Sequence, residues 1–210
     1  MEQEAGNRRS PAKREAILGA ASELFLSEGY ARVSVDAIAA RAKVGKQTVY
    51  SHFGNKEQLF LAVVGEARAA ASVPPDGSSE SIRPTGDPQT DLQAVGERLL
   101  RVVLSPAVAA LHRLTIAELT HHPELQKSWR ETSSDAILQE VAEYLAAADR
   151  TGTLEVPDPV RAARQFVLLV ATEGRVRSLH GTHPLPDLDR HQIARETAEL
   201  VVHAHRPGRR

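Results

Sequence analysis

Residues 34–53, SVDAIAARAKVGKQTVYSHF, constrain this chain more than any other stretch. They divide into two short helix-forming runs at Val44-Gly45. Ser34 is a good N-cap, and Ile38, Ala39 and Ala42 follow on one apolar face. The second run starts near Gly45 and offers Val49 and Phe53 to the same core. Its other side chains suit a nucleic-acid duplex. Gln47 and Thr48 can read base edges, while Lys46, Tyr50 and His52 can hydrogen-bond to phosphates. The pattern is that of a helix-turn-helix and implies a DNA-binding regulator.

The flanking sequence completes a small helical head. Ser10-Pro11 combines a cap residue with a proline at the first helical position. Ile17, Ala20, Ala21, Leu24 and Phe25 then recur at helical spacing, and Gly29 is expected to end that helix in a left-handed cap. Asn55 and Gln58 form a capping-box pattern that opens a fourth helix carrying Leu59, Phe60, Val63, Val64 and Ala67. From 73 to 90, prolines, glycines and serines crowd together, which predicts a long mobile loop. Helical patterns resume at about 91–104, 106–121, 124–149, 158–180 and 188–205, and strand alternation never appears. The expected fold is all-α. It has an arm at 1–10, a three-helix DNA-binding domain at 11–56 and a connecting helix at 57–72. The 73–90 loop, a helical body at 91–206 and a tail at 207–210 follow.

Charge supports that division. The net charge of −1 conceals a basic head. Nine basic side chains stand against four acidic ones between Asn7 and Lys56, so the rest of the chain is acidic. A basic head on an acidic body suits a DNA reader joined to a partner- or ligand-binding trunk. The chain has no cysteine, which excludes disulfides, thiolate zinc sites and cysteine nucleophiles. No apolar run approaches the ~18 residues of a membrane span, and residues 1–10 are polar. A cytoplasmic protein with no membrane partner and no cofactor is expected.

A recognition helix enters the major groove N-terminus first, so its first-turn residues meet base edges. Lys46, Gln47 and Thr48 hold those places. Gln pairs with adenine N6/N7, the Thr methyl meets the thymine methyl, and Lys46 reaches either guanine O6/N7 or a phosphate. Tyr50, His52 and Lys56 lie further on and suit the backbone; Ser34, at a helix start, also suits a phosphate.

At these residues the sequence resembles the TetR/AcrR family of bacterial transcription regulators. The resemblance is carried by Ala16-x-x-x-Ala20-x-x-x-Leu24-Phe25-x-x-x-Gly29-Tyr30, by Val35-x-x-Ile38-Ala39-x-x-Ala42, and by Val44-x-Lys46-x-Thr48-Val49-Tyr50-x-His52-Phe53-x-Asn55-Lys56-Glu57-x-Leu59. It covers roughly residues 11–66. It implies a homodimer with two heads in successive major grooves of a partly palindromic operator, and a C-terminal domain that dimerises and holds an inducer pocket. It places base contacts on Lys46, Gln47 and Thr48, and phosphate contacts on Tyr50, His52 and Lys56. Two positions depart from the pattern. Lys43 stands where glycine usually ends the second helix, at a cost of roughly a kcal/mol if its backbone is left-handed. Gly45 replaces the usual Ser or Thr cap.

In the trunk, the stretch from Arg113 to Leu125 and Trp129 resembles a C-terminal variant of that family. Arg113, Leu114, Glu118, Trp129, Phe166 and Arg175 are the candidate pocket residues for an unknown small-molecule effector, and the few aromatics favour a mid-sized aliphatic one. For the dimer, Ala163, Val167, Val170 and Gly174 put small residues on one helix face, and Ala194, Ala198 and Val201 supply the other helix. The rival class is a metal-responsive sensor built on His121-His122, His180 with His183, or His203 with His205. A helical enzyme is more remote: no Gly-x-Ser-x-Gly, His-Glu-x-x-His or phosphate-binding loop is present.

Overall fold

In the computed structural model, residues 10–72, 82–123 and 136–208 are described. Among them are α1 (Pro11–Glu28), α2 (Val35–Arg41), α3 (Lys46–Phe53) and α4 (Lys56–Ser72). There follow α5 (Pro88–Val103), α6 (Pro106–Glu118), α7 (Ala136–Arg150), α8 (Pro159–Arg177) and α9 (Asp187–Ala204). The described residues contain no strand, as expected for an all-α chain. No single helix among them is long and apolar enough to cross a membrane. The arm at 1–9, the 73–81 part of the expected loop, Trp129 and the last two residues lie outside the described residues.

The chain packs as two compact units. The first joins residues 1–70 to 110–133, so it holds α1 to α4 together with most of α6. Residues 110–133 of the 91–206 body expected from the sequence thus pack with this unit. Ile17, Phe25, Ile38, Val49, Phe53 and Leu59 form the core of this unit, and Leu111 of α6 is fully buried among them. Phe25, Tyr30 and Phe60 stack edge-on or tilted with ring centres 5.2–5.7 Å apart. Helix starts follow their caps only in part. Ser10 occupies the cap position of α1 without a side-chain hydrogen bond, so Pro11 sets that start. Ser34 Oγ accepts from the Ala37 N–H at 3.1 Å and Asn55 Oδ1 from the Gln58 N–H at 2.8 Å. Gly29 ends α1 with φ 86° and ψ 156°. That is a region essentially reserved for glycine, rather than the left-handed helical cap expected.

The second unit comprises residues 71–109 and 134–210. In it α5 packs against α9, and α8 packs against α5, α7 and α9. Glycine permits two of these crossings. A Cβ on Gly96 would lie 2.9 Å from the Ala194 Cβ, and one on Gly174 would overlap Leu100. The 82–90 end of the expected mobile loop is fixed. Asp91, only 4% exposed, accepts from the Thr85 N–H at 3.0 Å, the Thr85 hydroxyl at 2.7 Å and the Tyr144 hydroxyl at 2.7 Å. The Ile82 N–H donates to Glu140, which also pairs with Arg98. Asp87 caps α5, and Pro88 begins it at the first helical position, three residues before the expected start.

Candidate nucleic-acid interface

Helices α2 and α3 are joined by a Schellman motif. The Val44 N–H donates to the Ala39 carbonyl at 3.0 Å, the Lys43 N–H donates to Ala40 at 3.2 Å, and Val44 packs against the head core. Lys43 sits at the left-handed position with φ 54°, where this motif favours glycine. Gly45 then starts α3 in extended backbone with no side-chain cap. Val49 and Phe53 anchor α3 inward. That burial fixes the helix's rotation and turns Lys46, Gln47 and Tyr50 outward; Tyr50 is 44% exposed. Thr48 is half-buried beside them.

The expected contact residues are in different states. Gln47 presents an exposed side chain. Lys46 Nζ donates to Asp36 Oδ2 at 2.9 Å, and this partner holds the ammonium pKa above its ordinary value. Asp36 was not anticipated as a site residue. The signal was available, an acid in the first turn of the helix preceding the reading helix, but only the fold brings positions ten apart together. Lys56 lies 4.3 Å from the centre of the Tyr30 ring and donates to the Ala31 carbonyl at 3.4 Å. Tyr30 is buried and its hydroxyl donates to Glu57 at 3.2 Å. His52 is half-buried against Phe53, and its Nε2 is shielded with no hydrogen-bond partner among the described residues. A phosphate-directed His52 has to turn its ring outward. Ser34 is exposed, with its hydroxyl oxygen engaged in capping α2.

The trunk candidates separate. Arg113, Leu114 and Glu118 belong to the first unit, whereas Phe166 and Arg175 belong to the second. Leu114 packs on the head core, and Phe166 is wholly inside the other. Two clefts of the second unit, about 430 and 530 Å³, are lined by other residues, among them Glu97, Arg101 and His191 in the first and Asp149 and His205 in the second. His122 contacts Tyr30 edge-on at 5.0 Å and lies 3.6 Å from Glu118. Among the described residues, no three His, Asp or Glu side chains converge as a metal set.

The residues expected at the dimer interface are buried within the second unit. Ala163, Val167, Val170, Gly174, Ala194, Ala198 and Val201 all point into the second unit's own core. Small residues do permit close helix approach here, but the partner is α5 of the same chain: Gly174 meets Leu100 and Ala194 meets Gly96. The outward faces carry instead Val160, Leu168, Leu169 and Val176 on α8, Leu179 just beyond it, and Leu188 and Leu200 on α9, each at least 45% exposed.

Residues 17–63 match the family model described as bacterial regulatory proteins, tetR family. Residues 90–207 match the C-terminal domain of AefR-like transcriptional repressors. Over 116 residues the chain is 34% identical to an uncharacterised HTH-type transcriptional regulator of Mycobacterium tuberculosis, a stretch covering 55% of this chain and 52% of that protein. It is 32% identical over 120 residues to an HTH-type transcriptional repressor of Streptomyces coelicolor, covering 56% and 59%. The chain thus spans about half the length of the curated relatives it matches. Among solved structures, the flavonoid-responsive regulator FrrA superposes with a TM-score of 0.75 at 25% identity, over 95% of this chain and 100% of that one. A TetR-family regulator from Mesorhizobium loti gives 0.71 at 25% identity, over 93% and 98%. A helix-turn-helix with an outward-facing α3 and a C-terminal domain match that covers more than half of the chain agree on one assignment: the chain belongs to the TetR family of bacterial transcriptional regulators.

Proposed function

We propose that the protein is a one-component repressor that binds a partly palindromic operator as a homodimer and releases it when a small molecule binds the trunk. The observation that carries this reading is the set of outward side chains on α3, Lys46, Gln47 and Tyr50, with Thr48 beside them, on a helix whose other face is anchored by Val49 and Phe53. Base contacts fall to Lys46, Gln47 and Thr48, and phosphate contacts to Ser34, Tyr50, His52 and Lys56. Homodimerisation is supported by Leu168, Leu169 and Val176 of α8 and Leu188 and Leu200 of α9, large apolar side chains that the chain's own core leaves exposed.

The effector acts only through its differential affinity for trunk conformations that set the two heads at compatible or incompatible spacing. The likeness to a flavonoid-responsive regulator makes flavonoids the first compounds to screen, ahead of the aliphatic class that the composition favours.

Fluorescence anisotropy on the DNA upstream of the protein's own gene and on a scrambled duplex, at two salt concentrations, tests the reading. Preferential, salt-sensitive binding to the upstream DNA is expected; failure to bind either duplex would sink it. Within the same assay, Gln47→Ala should cost about 1–3 kcal/mol and relax preference at one base position. Uniform weakening on every duplex would demote Gln47 to a backbone contact.

A further inference from the structure

Lys46 occupies the first position of α3, where the helix dipole disfavours a cation. Local stability therefore does not ask for a lysine there. Asp36, in the first turn of α2, offsets it across the helix-turn-helix by a hydrogen bond of 2.9 Å. Both side chains are more than half exposed, so the pair contributes little to folding. Its consequence lies at the surface that α3 presents. The other acid-paired cation nearby, Arg41, contrasts with it: Nε and a terminal nitrogen both donate to Glu23, which occupies the guanidinium fork in a contact between α2 and α1. Lys46 gives a single donor to its acid.

An ammonium has three donors. With one on Asp36, two remain, and guanine presents two neutral acceptors, O6 and N7, on its major-groove edge. A backbone phosphate is a poorer partner for the same ammonium, because it brings a second anion beside the Asp36 carboxylate. We propose that Asp36 is a specificity-determining residue for DNA recognition, holding Lys46 by one hydrogen bond so that its remaining donors meet a guanine edge rather than a phosphate. The inference rests on the reading that α3 enters the major groove. Asp36 lowers affinity for every duplex, and lowers it most where no guanine is there to satisfy Lys46. It builds discrimination by penalising the wrong partner.

The test begins with a duplex selected by the wild-type protein from a random pool, compared with its scrambled counterpart. Asp36→Asn should bind the scrambled duplex roughly three- to tenfold more tightly and steepen its salt slope by about 0.9. Affinity for the selected duplex should change less than about twofold, so the preference shrinks. Replacing each guanine of the selected site in turn by 7-deazaguanine removes one N7 acceptor at a time. One such replacement per half-site should weaken the wild type about fivefold and leave Lys46→Ala unaffected. Equal tightening of Asp36→Asn on both duplexes would reduce Asp36 to a bulk charge and overturn the proposal. So would a wild type insensitive to every 7-deazaguanine. A wild type that selects no sequence at all would overturn the DNA-reading assignment itself. An intact wild-type preference that Asp36→Asn retains in full would overturn this inference alone.

Discussion

The two units differ in what their helices leave outside. In the reading head, short helices each have one apolar face, and that face goes inward: Ile38 and Ala39 on α2, Val49 and Phe53 on α3. In the second unit, α8 turns an apolar face of uneven bulk inward: Phe166, Val167 and Val170 stand beside Ala162, Ala163, Ala171 and Gly174. Its outer face is mixed, with Leu168, Leu169 and Val176 exposed among Arg164, Gln165 and Glu173. Hydrophobicity selects the inward face, and volume sets its detail. Leu100 of α5 fills the space where a Cβ on Gly174 would lie, so that part of the surface has to be thin. The large apolar residues on the outer face are the ones the chain's own core leaves uncovered.

The largest expected effect separates those two faces of α8. The double substitution Leu168→Glu with Val176→Glu should halve the sedimenting mass, leave the melting temperature nearly unchanged and weaken operator binding roughly a hundredfold through lost avidity. Val167→Asp, one residue from Leu168, should instead cost about 3–5 kcal/mol by burying an unpaired charge, visible as a large drop in denaturation midpoint. If the outward pair leaves a dimer intact, the contrast between the faces of α8 carries no information about assembly.

Helical glycines sharpen the same comparison at a smaller scale. In the head, Gly19 and Gly65 have nothing within 4 Å of where a Cβ would lie. In the trunk, Gly96 and Gly174 meet Ala194 and Leu100. Gly65→Ala should stabilise by about 0.5–1 kcal/mol, because alanine loses less conformational freedom in a helix. Gly96→Ala should destabilise by about 1–3 kcal/mol through overpacking against α9. Chemical denaturation of the two variants reads both; like signs would mean that α5 and α9 can separate at little cost.

Alkali distinguishes the trunk in another way. Burial, and then the Asp91 carboxylate that Tyr144 hydrogen-bonds, push the Tyr144 phenol well above its ordinary value of 10.0. Because the folded state resists ionisation, this contact contributes fully below that value. Its contribution is then lost as pH rises through the higher folded value. Stability should begin to fall near pH 10, and Tyr144→Phe should flatten that fall. An unchanged alkaline slope would mean that Tyr144 ionises as freely in the folded chain as in the unfolded one.

The head was legible because its determinants are local. Caps such as Ser34 and Asn55 act three residues away, and the spacing of Val49 and Phe53 fixes which side of α3 faces outward. The Lys46–Asp36 pair needed the turn between two helices to be known in space, and Lys56's position over Tyr30 needed a contact between positions 26 apart in number. In the trunk, helices were visible from periodicity, but their rotation was not. The inward turn of Val167 and Ala198 depends on what packs opposite them in the core, and the attachment of 82–85 depends on Asp91 of α5 meeting Glu140 and Tyr144 of α7.

The smallest predicted effect concerns a turn of the head that departs from a local backbone preference. Lys43 sits at φ 54° in the turn between α2 and α3. A left-handed backbone costs a residue with a Cβ about 1–2 kcal/mol, and glycine gives back about 0.4–1 kcal/mol through its more flexible unfolded chain. Lys43→Gly should therefore stabilise the protein by about 0.5–1 kcal/mol. It also removes an exposed cation beside the reading helix, so affinity should fall alike on operator and scrambled DNA. A rise in stability with uniformly weaker binding would show that Lys43 trades fold stability for DNA attraction. A rise with unchanged binding would leave the lysine without a role in DNA attraction, and a fall would mean that the Schellman turn gains more from the side chain than it loses in backbone strain.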